Sequence, residues 1–357
     1  MSYKHDTLIY IGRFQPFHNA HLQTILHALT LAERVVVVIG SANQPRDDAN
    51  PFTAAEREQM ITASLKEAGY DLRAHAHKDR VRFTYVENTI YNNPLWALNV
   101  VKGVEEHQVG TDVKLIGHTK DESSFYLKMY PQWGTPIEMP LVEVLDATTI
   151  RSMYFSDKCN LNFFKSVAPH AVVDFLGTFM QTDTYKYIVE ESEYIRNYRK
   201  QFEHLKYPPT FVTGDAVVFK DNHVIMIERR AAPGKGLMAI PGGFMNANTD
   251  PDAMETAIRE LFEETKIKVP EKIVRKSIVE EKIFSALNRS RRGRVITIAQ
   301  FINLDDPDNP GLPKLKGSDD AVKAVWVPLH QISRQNCFED HYDILTYFMG
   351  RYNNRAR

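Results

Sequence analysis

The chain has 357 residues, enough for two domains each with its own core, and its 43% hydrophobic, 25% charged and 11% aromatic composition is that of an ordinary globular protein. A formal net charge of −1 excludes the global basic field that binds nucleic acid, so an anionic ligand has to be held by a local site. The two distant cysteines, Cys159 and Cys337, exclude a disulfide framework, and with no signal-peptide core and no apolar run of membrane length the expectation is a cytoplasmic protein.

The first predicted strand, "TLIYIG", is followed by an amphipathic helix, "HLQTILHALTLAE", and a second apolar strand, "RVVVVIGSA". Strand, helix and strand in this order make a βαβ unit, which implies a parallel sheet with a right-handed crossover. The alternation continues through helix "TAAEREQMITASLKEA", strand "RVRFTYVE", helix "LWALNVVKGVEEH", strand "DVKLIGH" and a late strand near "PLVEVL". Residues 1–183 therefore read as a doubly wound, Rossmann-like α/β domain. Its ligands should lie outside the carboxyl ends of the strands, where "GRFQPFHNAH" and "GSANQPRDD" fall. Residues 184–209, charged and tyrosine-rich at helical spacing and closed by a proline pair, read as a helical linker. Residues 210–357 read as an α+β domain: short antiparallel-looking strands "TGDAVVFK" and "HVIMIERR" around a "DNH" turn, a loop "APGKGLMAIPGGF", and one strong helix.

In the first domain, Arg13, His18 and His21 cluster where strand one enters helix one. Free N–H groups and the helix dipole favour a phosphate there, and histidines three apart share a face. A lone histidine would read as a local cap. Two histidines with an arginine point to a phosphate site, and neither a dinucleotide fingerprint nor a P-loop is present. This stretch resembles the His-x-x-His signature of nucleotidyltransferases, specifically the nicotinamide mononucleotide adenylyltransferases, with Ala20 in place of the usual Gly. "LDATTIR" resembles the family's second signature, with Thr148 and Arg151 aligned and Asp146 where Ser is usual. The resemblance implies attack by the phosphate of nicotinamide mononucleotide on the α-phosphorus of ATP, with His18 and His21 on the α/β-phosphates and Arg13 and Arg151 on the outer ones. It also implies substrate contacts from Gly12, Phe14, Arg57, Asn92, Gly117, Lys120, Asp121 and Thr148. Trp96 stands where the family sets a ring against the nicotinamide; a core aromatic is its alternative reading.

In the second domain, "PDAMETAIRELFEETKI" sets Glu260, Glu263 and Glu264 on one helix side beside Arg259. Alone, such a run reads as a solvated face. With "PGGF" before it, "RELFEE" resembles the core of the Nudix box. That resemblance implies that Glu260, Glu263 and Glu264 hold Mg²⁺ or Mn²⁺, that Glu263, Glu264 and Arg259 take part in catalysis, and that Gly242 and Gly243 face substrate. The box departs from the pattern at its front, where Pro251 falls on the early glutamate and Asp250 is the nearest acid, and at Lys266, where Gly is usual. Downstream, Arg289, Arg291, Arg292 and Arg294 are candidates for substrate phosphates, or for a solvated hairpin, and the segment with Asp319, Asp320 and Trp326 resembles ADP-ribose pyrophosphatases.

Together the halves resemble the bifunctional nicotinamide mononucleotide adenylyltransferase/Nudix hydrolases. The substrates implied are ATP, nicotinamide mononucleotide and ADP-ribose, with no nucleic-acid or membrane partner and a homo-oligomer as an open option. Two alternatives stand beside this: an ADP-ribose-sensing Nudix-like module without hydrolase activity, and a different acceptor for the transferase, such as a pantetheine or cytidylyl compound.

Overall fold

Five parallel strands build the first sheet: β1 (His5–Gly12), β2 (Ala32–Ala42), β3 (Val81–Glu87), β4 (Val113–Gly117) and β5 (Ile137–Glu138), in the order β3-β2-β1-β4-β5. The structure is a computed structural model that describes residues 3–118, 126–140, 146–156, 159–316 and 321–355. The chain divides into Met1–Ser192 (unit 1) and Glu193–Arg357 (unit 2). In unit 1, β2 shows why a continuous valine run makes a central strand. Val35, Val37 and Ile39 enter the core cluster that also holds residues of α1 (Asn19–Leu31) and α2 (Ala54–Glu67). Val36 and Val38 enter another, with Val100 and Val104 of α3 (Asn93–Glu105). A parallel strand covered on both faces needs no polar side. The strand order reverses at β1 and β4, so Gly12 and Gly117 end at the switch point where α/β sheets bind ligands.

The late strand expected near "PLVEVL" falls mostly on residues outside the described ones, and β5 ends at Glu138. After it come α4 (Ala147–Tyr154), α5 (Leu161–Phe164), α6 (His170–Phe179) and α7 (Asp183–Lys200). The sequence reading had not singled out α5 and α6. α7 covers the first part of residues 184–209, which the sequence reads as a helical linker.

Unit 2 carries β6 (Thr210–Lys220), β7 (His223–Arg229), β8 (Met238–Ala239), β9 (Gly242–Phe244), α8 (Ala253–Thr265), α9 (Glu271–Lys276), β10 (Ile278–Phe284), β11 (Arg294–Asn303), β12 (Ala321–Pro328) and α10 (His341–Arg355). The sheet order is β10-β11-β6-β7-β12, with β8 on β7 and β9 on β6. Asp221 and Asn222, both at positive φ, make the tight β6–β7 turn. The antiparallel expectation holds for that hairpin but not throughout, because β6 pairs with β11 in parallel over Thr210–Phe219. On one face of β6, Ala216 and Val218 meet Ala257, Ile258 and Leu261 of α8. On the other, Val217 and Phe219 meet Ile344, Leu345 and Phe348 of α10.

Candidate active sites

At the β1–α1 junction His18 is the residue before the helix and His21 lies in its first turn. Their rings stack with centroids 3.6 Å apart, and His21 Nδ1 accepts the His18 N–H at 3.3 Å. An Nδ1 that accepts leaves the neutral ring's proton on Nε2. Phe14, at φ +53, lies over Gly12, where an added Cβ would sit 2.7 Å from its ring, and Phe14 and Phe17 hold the His21 ring at 5.0 and 5.6 Å. Behind them Thr24 links Ala20 and His118, and the His118 ring also meets the Met139 carbonyl. Arg13 is exposed beside this cluster.

Two of the candidate arginines are buried. Arg57, named as a substrate contact, is 1% exposed and donates to the carbonyls of Arg13, Gly40, Ser41 and Thr53. Burial, with Arg13 nearby, lowers its pKa to about 10. Arg151 is buried too, donating to the carbonyls of Asp48 and Gln15 and to the Thr148 hydroxyl. Both tie the strand-end loops together from inside, which a sequence pattern cannot distinguish from a reach toward phosphate. Asp146 has a clear local role: it caps α4, its carboxylate accepting the Thr149 N–H at 2.8 Å. Asn92 caps α3 in the same way, accepting from Leu95. Trp96 is half-buried, 6.5 Å from Tyr130, which stacks on Trp133. Gly117 ends β4 against Leu127. Lys120 and Asp121 lie outside the described residues, as do Asp319 and Asp320.

In unit 2 the nearest acid at the front of the acidic motif, Asp250, is tied to Arg259. Its carboxylate takes Arg259 through Nε at 3.2 Å and Nη2 at 2.8 Å. Asn246, Thr249 and Thr256 also donate to it, and Arg259 leads the causes that hold it well below the usual carboxylate range. The longer loop is thus wound into the turn Asn246–Asp250. From there Arg259 reaches Glu260 at 2.8 Å and Glu263 at 3.1 Å. Glu264 accepts the Gly242 N–H at 3.0 Å. Gly243 lies under Glu260, where an added Cβ would stand 2.2 Å from its oxygen. Lys266 ends α8 in the left-handed region, at φ +46, which explains why Gly is usual there.

The sequence reading missed Asp215. It lies on β6 opposite Gly242, buried, accepting the Thr297 hydroxyl at 2.5 Å, and burial pushes its carboxyl up to about 6. Its signal was a lone acid in the apolar run "GDAVVF".

Residues 9–93 match the cytidylyltransferase-like family model, and residues 210–348 match the NUDIX domain model. The nicotinamide/nicotinic acid mononucleotide adenylyltransferase of Acinetobacter baylyi is 39% identical over 53% of this chain and 94% of its own length. A crystal structure of a bifunctional NMN adenylyltransferase/ADP ribose pyrophosphatase from Francisella tularensis is 32% identical with a TM-score of 0.86, covering 97% of this chain and 99% of that one. This chain belongs to the bifunctional NMN adenylyltransferase/Nudix family. A second Francisella structure, complexed with AMP and a Mn ion, is 31% identical with a TM-score of 0.83 over 97% of this chain and 99% of that one.

The Nudix helix of this family member has the chemistry for a divalent ion. Its donors are carboxylate oxygens, which suit a hard cation. Burial pushes Glu260 upward and Glu264 up to about 8, a cost that a nearby cation would offset. Among the described residues no three such groups converge on one point, since Arg259 spans Glu260 and Glu263 while Glu264 turns to Gly242. Among those residues, too, no helix is long and apolar enough to cross a membrane.

Proposed function

We propose that this protein makes NAD and pyrophosphate from ATP and nicotinamide mononucleotide in unit 1, and hydrolyses ADP-ribose to AMP and ribose 5-phosphate in unit 2. The observation that carries the first reaction is the stacked His18–His21 pair at the start of α1, beside the switch point of the sheet. An oxygen of the mononucleotide phosphate attacks the α-phosphorus of ATP, and the bond to the β-phosphate oxygen breaks as pyrophosphate leaves. No protein nucleophile is needed, so the residues position and neutralise two anions. His18 and His21 donate to the phosphate oxygens as charge builds, Arg13 serves the outer phosphates, and Trp96 offers a ring to the nicotinamide. Arg57 and Arg151 hold the loops that carry these groups.

In unit 2 the same reading gives Glu260, Glu263 and Glu264 to a Mg²⁺ or Mn²⁺ site, with Arg259 and Asp250 orienting them. When bound, such an ion supplies the Lewis acidity that activates water and holds a pyrophosphate. Support comes from the all-carboxylate donor set and from the family's Francisella member crystallised with AMP and a Mn ion.

The test uses the purified chain. With ATP and nicotinamide mononucleotide it should form NAD, and with a panel of dinucleotides and ADP-ribose it should release AMP from ADP-ribose most efficiently. His18→Ala should slow NAD formation by about 10²–10³-fold, as for loss of one preorganised donor to a transition-state oxyanion. An unchanged kcat at saturating ATP would remove His18 from the reaction, and an inert unit 2 would leave a sensing module.

A further inference from the structure

We infer that the last turn of α7 and the segment after it are a working part of unit 2: Tyr198 and Phe202 buttress Phe244 through Phe211, and so position the charged residues of α8; this rests on the hydrolase reading above. The short strand β9 is where the two meet. Gly242 gives its N–H to Glu264 at 3.0 Å, and a Cβ on Gly243 would stand 2.2 Å from a Glu260 oxygen. The Phe244 carbonyl accepts from Arg259 at 3.3 Å, and Arg259 reaches Glu260 and Glu263. Each residue of the strand therefore touches the charged set.

Two of those three residues are glycines, which carry no side chain and have the widest backbone freedom. Phe244 is thus the side chain by which β9 can be held. Its ring meets Phe211 of β6 edge-on, with centroids 5.6 Å apart. Phe211 meets Phe202 at 5.1 Å and Tyr198 at 6.1 Å, and those two meet each other at 5.5 Å. These distances lie in the range where tilted and edge-to-face rings attract. Tyr198, Phe202 and Phe211 close a triangle, so Phe211 is braced by two rings, whereas a ring with one neighbour can pivot on it.

A second tie runs through the loop between β10 and β11. Arg199, next to Tyr198, donates from Nε to the Arg291 carbonyl at 2.8 Å. The following residue, Arg292, lies 4.9 Å over the Phe244 ring. The end of α7 reaches Phe244 by two routes, one through rings and one through this loop. Unit 2 begins at Glu193, so all of these contacts lie within it. A segment that merely bridges two domains needs only length and solubility, whereas Tyr198 and Phe202 are half-buried and pack on Phe211 of β6.

Full-length wild type, Phe202→Ala, Phe202→Leu and Phe202→Tyr test this, read by Mn²⁺ binding in calorimetry, ADP-ribose hydrolysis, NAD formation and a melting curve. Phe202→Ala should weaken Mn²⁺ binding and lower kcat by about ten-fold or more, the scale for losing an outer support of metal-holding groups. KM for ADP-ribose should change less than kcat, and NAD formation should not change. Phe202→Tyr keeps the ring and should restore both properties, with Phe202→Leu between. Wild-type Mn²⁺ affinity and kcat in a folded Phe202→Ala protein would overturn the buttress, even if its melting point falls. So would a Phe202→Tyr protein as weak as Phe202→Ala. If Phe202→Ala does not fold, Phe202→Leu carries the same comparison. A wild-type chain that binds Mn²⁺ but cleaves no ADP-ribose would sink the hydrolase reading instead, and Mn²⁺ affinity would still judge the buttress.

Discussion

Burial, reinforced by the guanidiniums of Arg289, Arg229 and Arg292, holds the His341 imidazole well below the usual histidine range. Its Nδ1 accepts the Ile240 N–H at 2.9 Å, and its ring meets Phe338 edge-on at 5.5 Å. Protonation would have to break that acceptor bond and add a charge among three cations, with Asp340 already committed to Arg289. The unfolded chain takes up the proton near pH 6.5 and the folded chain only well below it. Stability from this group is therefore complete above about pH 6.5 and falls below it, by up to about 1.4 kcal/mol per pH unit. Urea unfolding of unit 2 at several pH values should show this slope in wild type and lose it in His341→Gln. Parallel pH profiles for the two proteins would show that His341 titrates normally. Nothing in the sequence distinguished this histidine, since its neighbours come from β7, the β10–β11 loop and the segment before α10.

At the scale of elements, α8 lies against β6 closely enough that Gly214 is its contact. A Cβ there would stand 2.2 Å from the Ala253 carbonyl and 2.8 Å from the Ala257 nitrogen, both backbone atoms that cannot rotate away. Gly214→Ala should cost about 1–3 kcal/mol or more and lower the unfolding midpoint of unit 2. Gly243→Ala meets only the end of the Glu260 side chain, so it should change stability far less while depressing hydrolysis; a large melting shift would show that the loop cannot adjust. This contrast marks what was legible. Helix α8, its glutamates and the βαβ order of unit 1 are local patterns, apolar residues at period 3.6 or in runs, and they read directly. The parallel pairing of β6 with β11 is not local, and neither are the carbonyls that claim Arg57 and Arg151 or the reach of Asp250 to Arg259. Those depend on which distant segments meet, and residue type alone does not encode that.

For the whole molecule, each unit has its own core clusters and its own set of charged site residues. A change in one site should therefore spare the other reaction. Glu263 is 56% exposed, so Glu263→Gln should shift stability by no more than about 0.5 kcal/mol. Hydrolysis should collapse while NAD formation persists, both measured on one preparation. Full hydrolysis would remove Glu263 from the ion site, and loss of both reactions in a folded variant would end the independence of the units. The sheet order also bears on how the chain is made. Unit 1 has all five strands before unit 2 begins, but β6 is synthesised long before β11, its parallel neighbour over Thr210–Phe219. Until Arg294–Asn303 emerges, an eleven-residue strand with buried Asp215–Lys220 has one edge unpaired. At about 5–20 residues per second that exposure lasts several seconds, during which nascent unit 2 offers an open strand edge to other unfinished chains.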